Sequence, residues 1–446
     1  MINIIKKKLT YTQIIAISFA VIIIIGSVLL SLPVSSKDGT STPFINSLFT
    51  AVSSTCVTGL SVYDTYTHWS LFGQIVILCM IQIGGLGFMT IIIMFSLLMK
   101  KSMSLHERRL LMQSAGSMDM NNINKLLKNI FIGTFIFEFI GAILLSLRFC
   151  SQMGVGQGIW YAVFHSISAF CNAGFDLMGQ FGSSSFSAFS DDILVNATLI
   201  FLITMGGLGF LVWNDLLQNK YHFKNYSLHT KIVIVTSAIL LFGGTVLFFF
   251  TEKNHAFADM DMKGKIVSSF FQSATTRTAG FFTVEQSSLS NSGSILSIIL
   301  MLVGGSSGST AGGIKTTTFA VFLISNFCLA RNNDNIVVFK KRLDTSIVKQ
   351  ASSIVCVYIT GVILSAFIIC AIEPFGLREV LYETSSAIAT VGLSMNMTPS
   401  LSIASKIIII FLMYTGRIGG LSMIMVLAEK RERIPLERPI GKIMIG

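Results

Sequence analysis

Runs of apolar residues, each long enough to cross a bilayer, recur along the whole chain. They occupy residues 14–32, 70–99, 123–149, 193–217, 232–250, 295–329, 347–372 and 403–427. A helix needs roughly 20 such residues to span the hydrocarbon core of a membrane, so the pattern predicts eight transmembrane helices. The run at 295–329 is too long for one straight span and is rich in Gly and Ser, so we expect it to be broken.

Charge is scarce and unevenly placed. Charged residues make up 12% of the chain, about half the usual share, which excludes a disordered or nucleic-acid-binding protein. Of the 32 Lys and Arg, 22 fall in residues 1–10, 99–128, 218–231, 330–349 and 429–446. With eight spans these segments share one side, and the positive-inside rule predicts that this side and both termini are cytoplasmic.

A short motif recurs four times, each time before an even-numbered span. An aromatic residue stands ten positions before a glycine, small residues fill the interval, and a bulky apolar residue follows. The four glycines are Gly59, Gly174, Gly280 and Gly392, and further glycines recur 24 to 32 residues downstream of each. Close helix packing alone would not put four such segments in register. We therefore predict four units, each made of a helix, a re-entrant half-helix, a glycine-bearing loop and a second helix.

The four loops predict a cation pore. Non-helical backbone is tolerated at membrane depth where it lines a water-filled cavity or is buried in protein. Four glycine loops around one axis would supply rings of carbonyl groups that can replace the hydration shell of K⁺. Glycine suits this role because it adopts unusual φ angles and leaves room at the axis. Thr390, Val391 and Gly392 also match the start of the TVGYG filter of K⁺ channels.

With these motifs the chain resembles the pore subunit of the Trk/Ktr/HKT superfamily of K⁺ transporters, and most closely the bacterial Ktr type, which has eight spans. The resemblance implies an all-α polytopic membrane protein. Its four M1–P-loop–M2 units, with eight transmembrane helices and four re-entrant pore helices, would surround a pseudo-fourfold pore. The units would be residues 1–99, 100–217, 218–330 and 331–428, followed by a cytoplasmic tail at 429–446.

The resemblance also implies a function and partners. The chain would be a homodimer in the bacterial cell membrane, with one gated pore per subunit for K⁺ uptake, often stimulated by Na⁺. A cytosolic ring of RCK-type subunits would regulate it. No G-x-G-x-x-G follows a strand in this chain, so nucleotide binding would belong to that partner and this chain would bind no cofactor. The expected neighbours are the lipid bilayer and the ring, and no nucleic acid.

The resemblance assigns the selectivity filter to four short segments. Relatives that prefer Na⁺ carry Ser in place of the first filter glycine, so Gly59 favours K⁺. The flanking residues differ between units, which makes the expected ring only pseudo-fourfold. The filter residues, whose backbone carbonyls would bind K⁺, are Val57, Thr58, Gly59, Asn172, Ala173, Gly174, Thr278, Ala279, Gly280, Thr390, Val391 and Gly392.

A glycine-rich stretch in the sixth span is the expected gate. Such a stretch does not hold a stable helix, and in the superfamily it forms an intramembrane loop below the filter with an arginine beside it. The gate residues are Gly304, Gly305, Ser306, Ser307, Gly308, Ser309, Thr310, Ala311, Gly312, Gly313, Lys315 and Arg417. A phosphate-binding loop is the rival interpretation, but Ile314 separates Gly313 from Lys315 and no strand precedes them.

Other classes and residues fit less well. A Na⁺/K⁺ or H⁺/K⁺ symporter with broken helices remains an alternative, although that class usually has inverted repeats, whereas these four units are parallel. An enzyme is not expected, because no nucleophile–base pair or metal-ligand cluster is present. Arg277 could cap carbonyls or pair with Glu383. Glu138 could be an ion relay, but a buried pairing is favoured, and His165 is expected in packing. Five acids on the outer side could attract cations weakly, but they are expected to be solvated loop charges: Asp176, Asp191, Asp192, Asp259 and Asp261.

Overall fold

The computed structural model describes residues 11–87, 123–182, 185–220, 222–332 and 335–419, and these ranges are mostly helical. The helices are α1 (Tyr11–Ser31), α2 (Phe44–Thr55), α3 (Thr65–His68), α4 (Leu71–Leu86), α5 (Ile123–Met153), α6 (Val155–Phe170), α7 (Ile193–Leu208), α8 (Phe210–Asn219), α9 (Leu228–Glu252), α10 (Met262–Thr275), α11 (Asn291–Leu302), α12 (Thr316–Ala330), α13 (Thr345–Ile372), α14 (Leu377–Ala389) and α15 (Ile403–Ile418). An antiparallel hairpin pairs β1 (Val337–Val338) with β2 (Lys341–Arg342).

The first helix of each unit is long and apolar. The stretches long and apolar enough to cross a membrane are Gln13–Ser31, Lys128–Met153, Leu228–Glu252 and Thr345–Ile372. Large apolar side chains project from them into the surroundings, such as Phe139 (67% exposed) and Phe367 (74% exposed). An exposed apolar band of this kind suits contact with lipid. The first, third, fifth and seventh predicted spans are therefore confirmed.

The second helix of each unit is short, because it stops at a glycine or at the start of a loop. Helices α4, α7 and α15 end immediately before Gly87, Gly209 and Gly419, whose φ angles are 81°, 89° and 95°. A left-handed φ does not continue an α-helix, and glycine adopts it without steric cost. The predicted span at 193–217 is not straight, since α7 and α8 meet at 93°. The predicted break at 295–329 is confirmed by the loop between α11 and α12.

Several sequence predictions fall outside the described residues. The second parts of the runs at 70–99 and 403–427, most of the basic segment 99–128, the basic start of the chain and the tail at 429–446 belong to this group.

The downstream glycines let the second helices touch the ends of the re-entrant helices. A methyl group on Gly206 would lie 2.0 Å from the carbonyl oxygen of Phe170 at the end of α6. Gly84 and Gly416 make the same approach, at 1.9 and 2.0 Å, to the carbonyl oxygens of Thr55 and Ile388. In the third unit the equivalent Gly304 instead packs on Gly312 of the loop, at 2.1 Å from its carbonyl oxygen. Close packing therefore accounts for these glycines.

Candidate functional site

The four filter segments share one unusual backbone conformation. The residue two positions before each glycine has a left-handed φ, which is uncommon for a residue with a side chain. Three of these four residues are also β-branched, so the conformation is strained and must be held by its surroundings. The φ angles are 58° at Val57, 60° at Asn172, 67° at Thr278 and 52° at Thr390, and those of the glycines that follow are 96°, 70°, 83° and 94°. Such a backbone lets successive carbonyl groups face the same side of the filter segment.

The four glycines close into a ring that follows the order of the units. A methyl group on any of them would collide with the carbonyl oxygen of the residue preceding the glycine in the next unit. The distance from the added Cβ to that carbonyl oxygen is 2.6 Å from Gly59 to Ala173, 2.9 Å from Gly174 to Ala279, 2.6 Å from Gly280 to Val391 and 2.2 Å from Gly392 to Thr58. The last contact returns to the first unit, so the ring is closed and has no space for a side chain.

The C-terminal ends of the re-entrant helices hold the filter backbone. The amide of Thr58 donates to the carbonyl of Ser53 at 2.7 Å, and the amide of Gly59 donates to the Ser53 hydroxyl at 3.1 Å. Ser386 receives the same two bonds in the fourth unit, from Val391 at 2.8 Å and from Gly392 at 3.0 Å. Sequence reasoning missed these serines, although a serine recurs six residues before the glycine in three units and is replaced by Ala274 in the third.

A cavity lies against the ring, on the side of the residues that follow the glycines. We call it the outer cavity. Its volume is about 240 Å³, and all four filter glycines line it. Asp64 and Asp176 also line it. Burial, with the nearby Asp64 charge adding to it, raises the pKa of Asp176 to about 6. Asp176 was expected to be a solvated loop charge, and that expectation is wrong; Asp64 was not singled out at all.

The glycine-rich segment between α11 and α12, residues 303–315, forms a loop closed at its own base. The amide of Gly304 donates to the carbonyl of Ile314, and the amide of Ile314 donates to the carbonyl of Leu302, each at 3.0 Å. We call this segment the intramembrane loop. Its tip docks on the bend of the second unit: Ser306 donates to Gly207 at 2.9 Å, and Phe210 donates to Gly308 at 2.9 Å.

The intramembrane loop also touches the residues that precede the filter glycines. The hydroxyl of Thr310 donates to the carbonyl of Phe170 at 3.1 Å and lies 3.5 Å from the side-chain oxygen of Asn172. A methyl group on Gly312 would lie 1.9 Å from the hydroxyl of Thr390. The loop therefore packs directly beneath two of the four filter segments.

Arg417 joins the intramembrane loop to the first unit. Its guanidinium donates to the carbonyl of Thr310 in the loop and to the carbonyls of Gly84 and Gly85 at the end of α4. These are charge-assisted bonds, which are stronger than neutral ones. Lys315 differs, because its Nζ donates at 2.6 Å to the carbonyl of Ala311 inside the same loop. Arg417 thus links three of the four units, whereas among the described residues the bond of Lys315 stays within one unit.

Three charged residues outside the filter and the gate have specific partners. Arg277 donates to the Ser237 hydroxyl at 3.0 Å, and no ion pair joins it to Glu383 in the described part of the chain, so that alternative is wrong. The buried pairing of Glu138 is confirmed, since it accepts from the Gln82 amide at 3.0 Å. Asp192 is another acid that is not simply solvated, because it pairs with Arg148 at 2.5 Å.

His165 is buried and both of its ring nitrogens are bonded. Nδ1 lies 2.7 Å from the carbonyl of Tyr161, and Nε2 accepts from the amide of Leu177 at 3.0 Å. This pattern requires the neutral tautomer with the proton on Nδ1. His165 therefore fixes the chain that follows the second filter segment, a more specific role than the expected packing.

Known proteins resemble this chain over nearly its full length. The family description "TrkH: Cation transport protein" matches residues 6–434. The chain belongs to the TrkH family of cation transport proteins. "Potassium/sodium uptake protein NtpJ" of Enterococcus hirae is 37% identical over 99% of this chain and 98% of its own length. "Ktr system potassium uptake protein B" of Bacillus subtilis is 36% identical over 98% of this chain and 97% of its own length.

The fold agrees with a solved structure of a TrkH protein. The potassium transporter TrkH from Vibrio parahaemolyticus superposes with a TM-score of 0.72, covers 94% of this chain and 84% of its own, and is 15% identical. At that identity the match concerns the fold alone. The architecture of four units is thus that of the TrkH fold, and the chain is a membrane protein from a family of cation transporters, not of enzymes.

Proposed function

We propose that this protein takes up K⁺ across a bacterial cell membrane through a gated, K⁺-selective pore. The observation that carries the proposal is the closed ring of four glycines, each with a residue of left-handed φ two positions before it. The relatives named as potassium uptake proteins support it. The proposed K⁺ ligands are backbone carbonyls of the filter segments at 57–59, 172–174, 278–280 and 390–392.

The selectivity would come from the carbonyl cage. K⁺ sheds its water shell when enough carbonyl oxygens replace it, and the ring brings the carbonyls of four chain segments together. The outer cavity would collect cations before the filter, because Asp64 and Asp176 add negative charge beside the four glycines. The re-entrant helices point their C-terminal, partly negative ends at the same place.

The intramembrane loop and Arg417 would form the gate. The loop packs against Asn172 and Thr390 and is tied to the second unit by backbone bonds and to the first by Arg417. A loop in this position obstructs passage below the filter. Its release would need the bond from Arg417 to Thr310 to break, so the proposed gate residues are residues 304–313 of the loop, Lys315 and Arg417.

We further propose that both termini are cytoplasmic, that the units are residues 1–99, 100–217, 218–330 and 331–428, and that the chain is a homodimer regulated by a nucleotide-binding RCK-type ring. The basic segments at 218–231 and 330–349 support the orientation. A relative named as part of a "Ktr system" supports a partner component, and the name "potassium/sodium uptake protein" supports an effect of Na⁺. Co-elution of the purified chain with such a ring at physiological salt tests the partner; absence of a complex would contradict it.

The filter proposal is tested with Gly59→Ser. The new Cβ would lie 2.6 Å from the carbonyl oxygen of Ala173 and distort one quarter of the ring, so the ratio of K⁺ to Na⁺ uptake should fall. Gly39→Ser is the matched control, since Gly39 has a similar left-handed φ of 65° but no atom within 4 Å of an added Cβ. Uptake is measured in a K⁺-uptake-deficient bacterium and in liposomes. An unchanged ratio in folded Gly59→Ser protein would contradict the filter.

A symporter with broken helices is the second candidate, favoured by the bend at Gly209 and the break at 303–315. Measurements of K⁺ flux in liposomes distinguish a pore from a symporter. A pore carries K⁺ down its own gradient without any Na⁺ or proton gradient, whereas an obligatory symporter does not.

A further inference from the structure

At one position of the repeat, each of the four re-entrant helices carries a different residue. This position lies nine residues before the filter glycine, where the side chain is at most 1% exposed in every unit. The four residues are Thr50, His165, Phe271 and Glu383. The backbone ring is nearly fourfold, but the chemistry directly behind it differs in every unit.

Each unit has its own polar contact that ties the segment after the glycine back to the protein interior. In the first unit Asn46 donates to the Tyr63 hydroxyl at 2.7 Å. In the second unit His165 accepts from the Leu177 amide at 3.0 Å. The contact in the third unit joins the amide side chains of Gln272 and Gln286 at 2.7 Å, and that in the fourth joins Glu383 to Thr398. We call these four contacts the tethers.

The fourth tether is the only one of the four that rests on a carboxylate. Glu383 is fully buried, and its Oε1 accepts from the hydroxyl of Thr398. Its Oε2 has no hydrogen-bond partner among the described residues. Thr398 lies 3.2 Å from the hydroxyl of Ser394, and both line the outer cavity together with Gly392. Glu383 thus binds a residue that lines the cavity in the fourth unit, but it does not line the cavity itself.

We propose that Glu383 is a specificity-determining residue, because it positions the fourth filter segment through Thr398. The inference rests on the proposed function of the glycine ring as the filter. A buried acceptor that loses its donor leaves a costly unsatisfied group, so the segment from Gly392 to Thr398 is held firmly in one position. Gly392 is also the tightest point of the ring, since its added methyl group would lie 2.2 Å from the Thr58 carbonyl oxygen. A small displacement there changes the carbonyl cage.

The experiment compares substitutions at both ends of the tether. Thr398→Val keeps the shape and removes the donor, and Glu383→Leu removes the acceptor; each should lower the ratio of K⁺ to Na⁺ uptake by roughly fivefold, the factor that one net hydrogen bond represents. Thr398→Ser restores the hydroxyl and should restore the ratio. Glu383→Gln retains a carbonyl oxygen that accepts from Thr398, so it should keep most of the selectivity.

Thr50→Val is the matched control at the equivalent position of the first unit. The Thr50 hydroxyl donates at 3.1 Å to the Asn46 carbonyl within its own helix, so it ties no outer segment. This variant should leave the ratio unchanged. Fluxes of K⁺ and Na⁺ are measured separately in liposomes that hold equal amounts of folded protein.

The outcomes separate this inference from the filter proposal. If Gly59→Ser lowers the ratio but folded Thr398→Val does not, the role of Glu383 is overturned and the filter stands. If neither variant changes the ratio, the filter proposal fails as well. If Thr398→Val lowers both fluxes equally and Thr398→Ser restores them, the tether is merely structural and the inference is wrong. If Glu383→Leu does not fold, the comparison of Thr398→Val with Thr398→Ser still tests the inference.

Discussion

Removing the Arg417 side chain should open the pore without its partner. The guanidinium donates to the carbonyl of Thr310 in the intramembrane loop and to that of Gly84 in the first unit. Of the Arg417 bonds, only the one to Thr310 holds the loop. A hydrogen bond to a charged group contributes about 1.5–3 kcal/mol, so Arg417→Ala should shift the loop toward its released form by roughly 10- to 150-fold.

The remaining contacts limit the effect. The loop keeps its backbone bonds between Ser306 and Gly207 and between Gly308 and Phe210, both at 2.9 Å, and each contributes about 0.5–1.5 kcal/mol. The loop in Arg417→Ala should therefore stay docked part of the time. Deleting several residues between Ser306 and Gly312 removes these bonds too and should raise the K⁺ flux further.

The assay is K⁺ flux into liposomes reconstituted with the chain alone. Arg417→Lys keeps the charge but lacks the planar guanidinium group that reaches carbonyls of two units. Its flux should therefore lie between wild type and Arg417→Ala. Lys315→Met removes a neighbouring positive charge that donates inside the loop. It separates loss of charge from loss of the bond between the loop and Arg417, and it should raise flux less. Unchanged or lower flux in folded Arg417→Ala, or in the folded loop deletion, would refute the gate.

Two further predictions concern packing and pH. Gly206→Ala should destabilise the protein by about 1–3 kcal/mol because its methyl group would lie 2.0 Å from the Phe170 carbonyl oxygen. Gly207→Ala, whose nearest contact is 3.8 Å away, should not; thermal unfolding in detergent measures both, and equal stability would contradict the packing argument. The pKa of Asp176 is raised to about 6, so this carboxyl group is charged at pH 7 and is neutralised as the pH falls through 6. The apparent affinity for K⁺ should fall between pH 7 and 5 on the side of the outer cavity and be pH-independent in Asp176→Asn; the same pH dependence in both proteins would exclude Asp176.

The sequence by itself determined the plan of four units. Hydropathy identifies the long first helices, because spanning a bilayer requires one continuous apolar run. The recurring glycines locate the filter segments, because close backbone approach and left-handed φ favour the same residue at the same place in every unit. The break in the sixth span follows from the low helix propensity of its Gly and Ser residues. These are local properties, and they depend on neighbours along the chain.

Tertiary structure decided which groups meet. Hydropathy did not separate α7 from α8, because the apolar run continues through Gly209 while the backbone turns by 93°. No spacing in the sequence links Arg417 to Thr310 and Gly84, or Glu383 to Thr398, since these contacts join different units or segments of a folded ring. Likewise, Asp176 and Asp64 share one cavity only because two filter loops close on the same axis. A buried polar group takes whichever partner the packing places within hydrogen-bonding distance, and that distance is a property of the assembled fold.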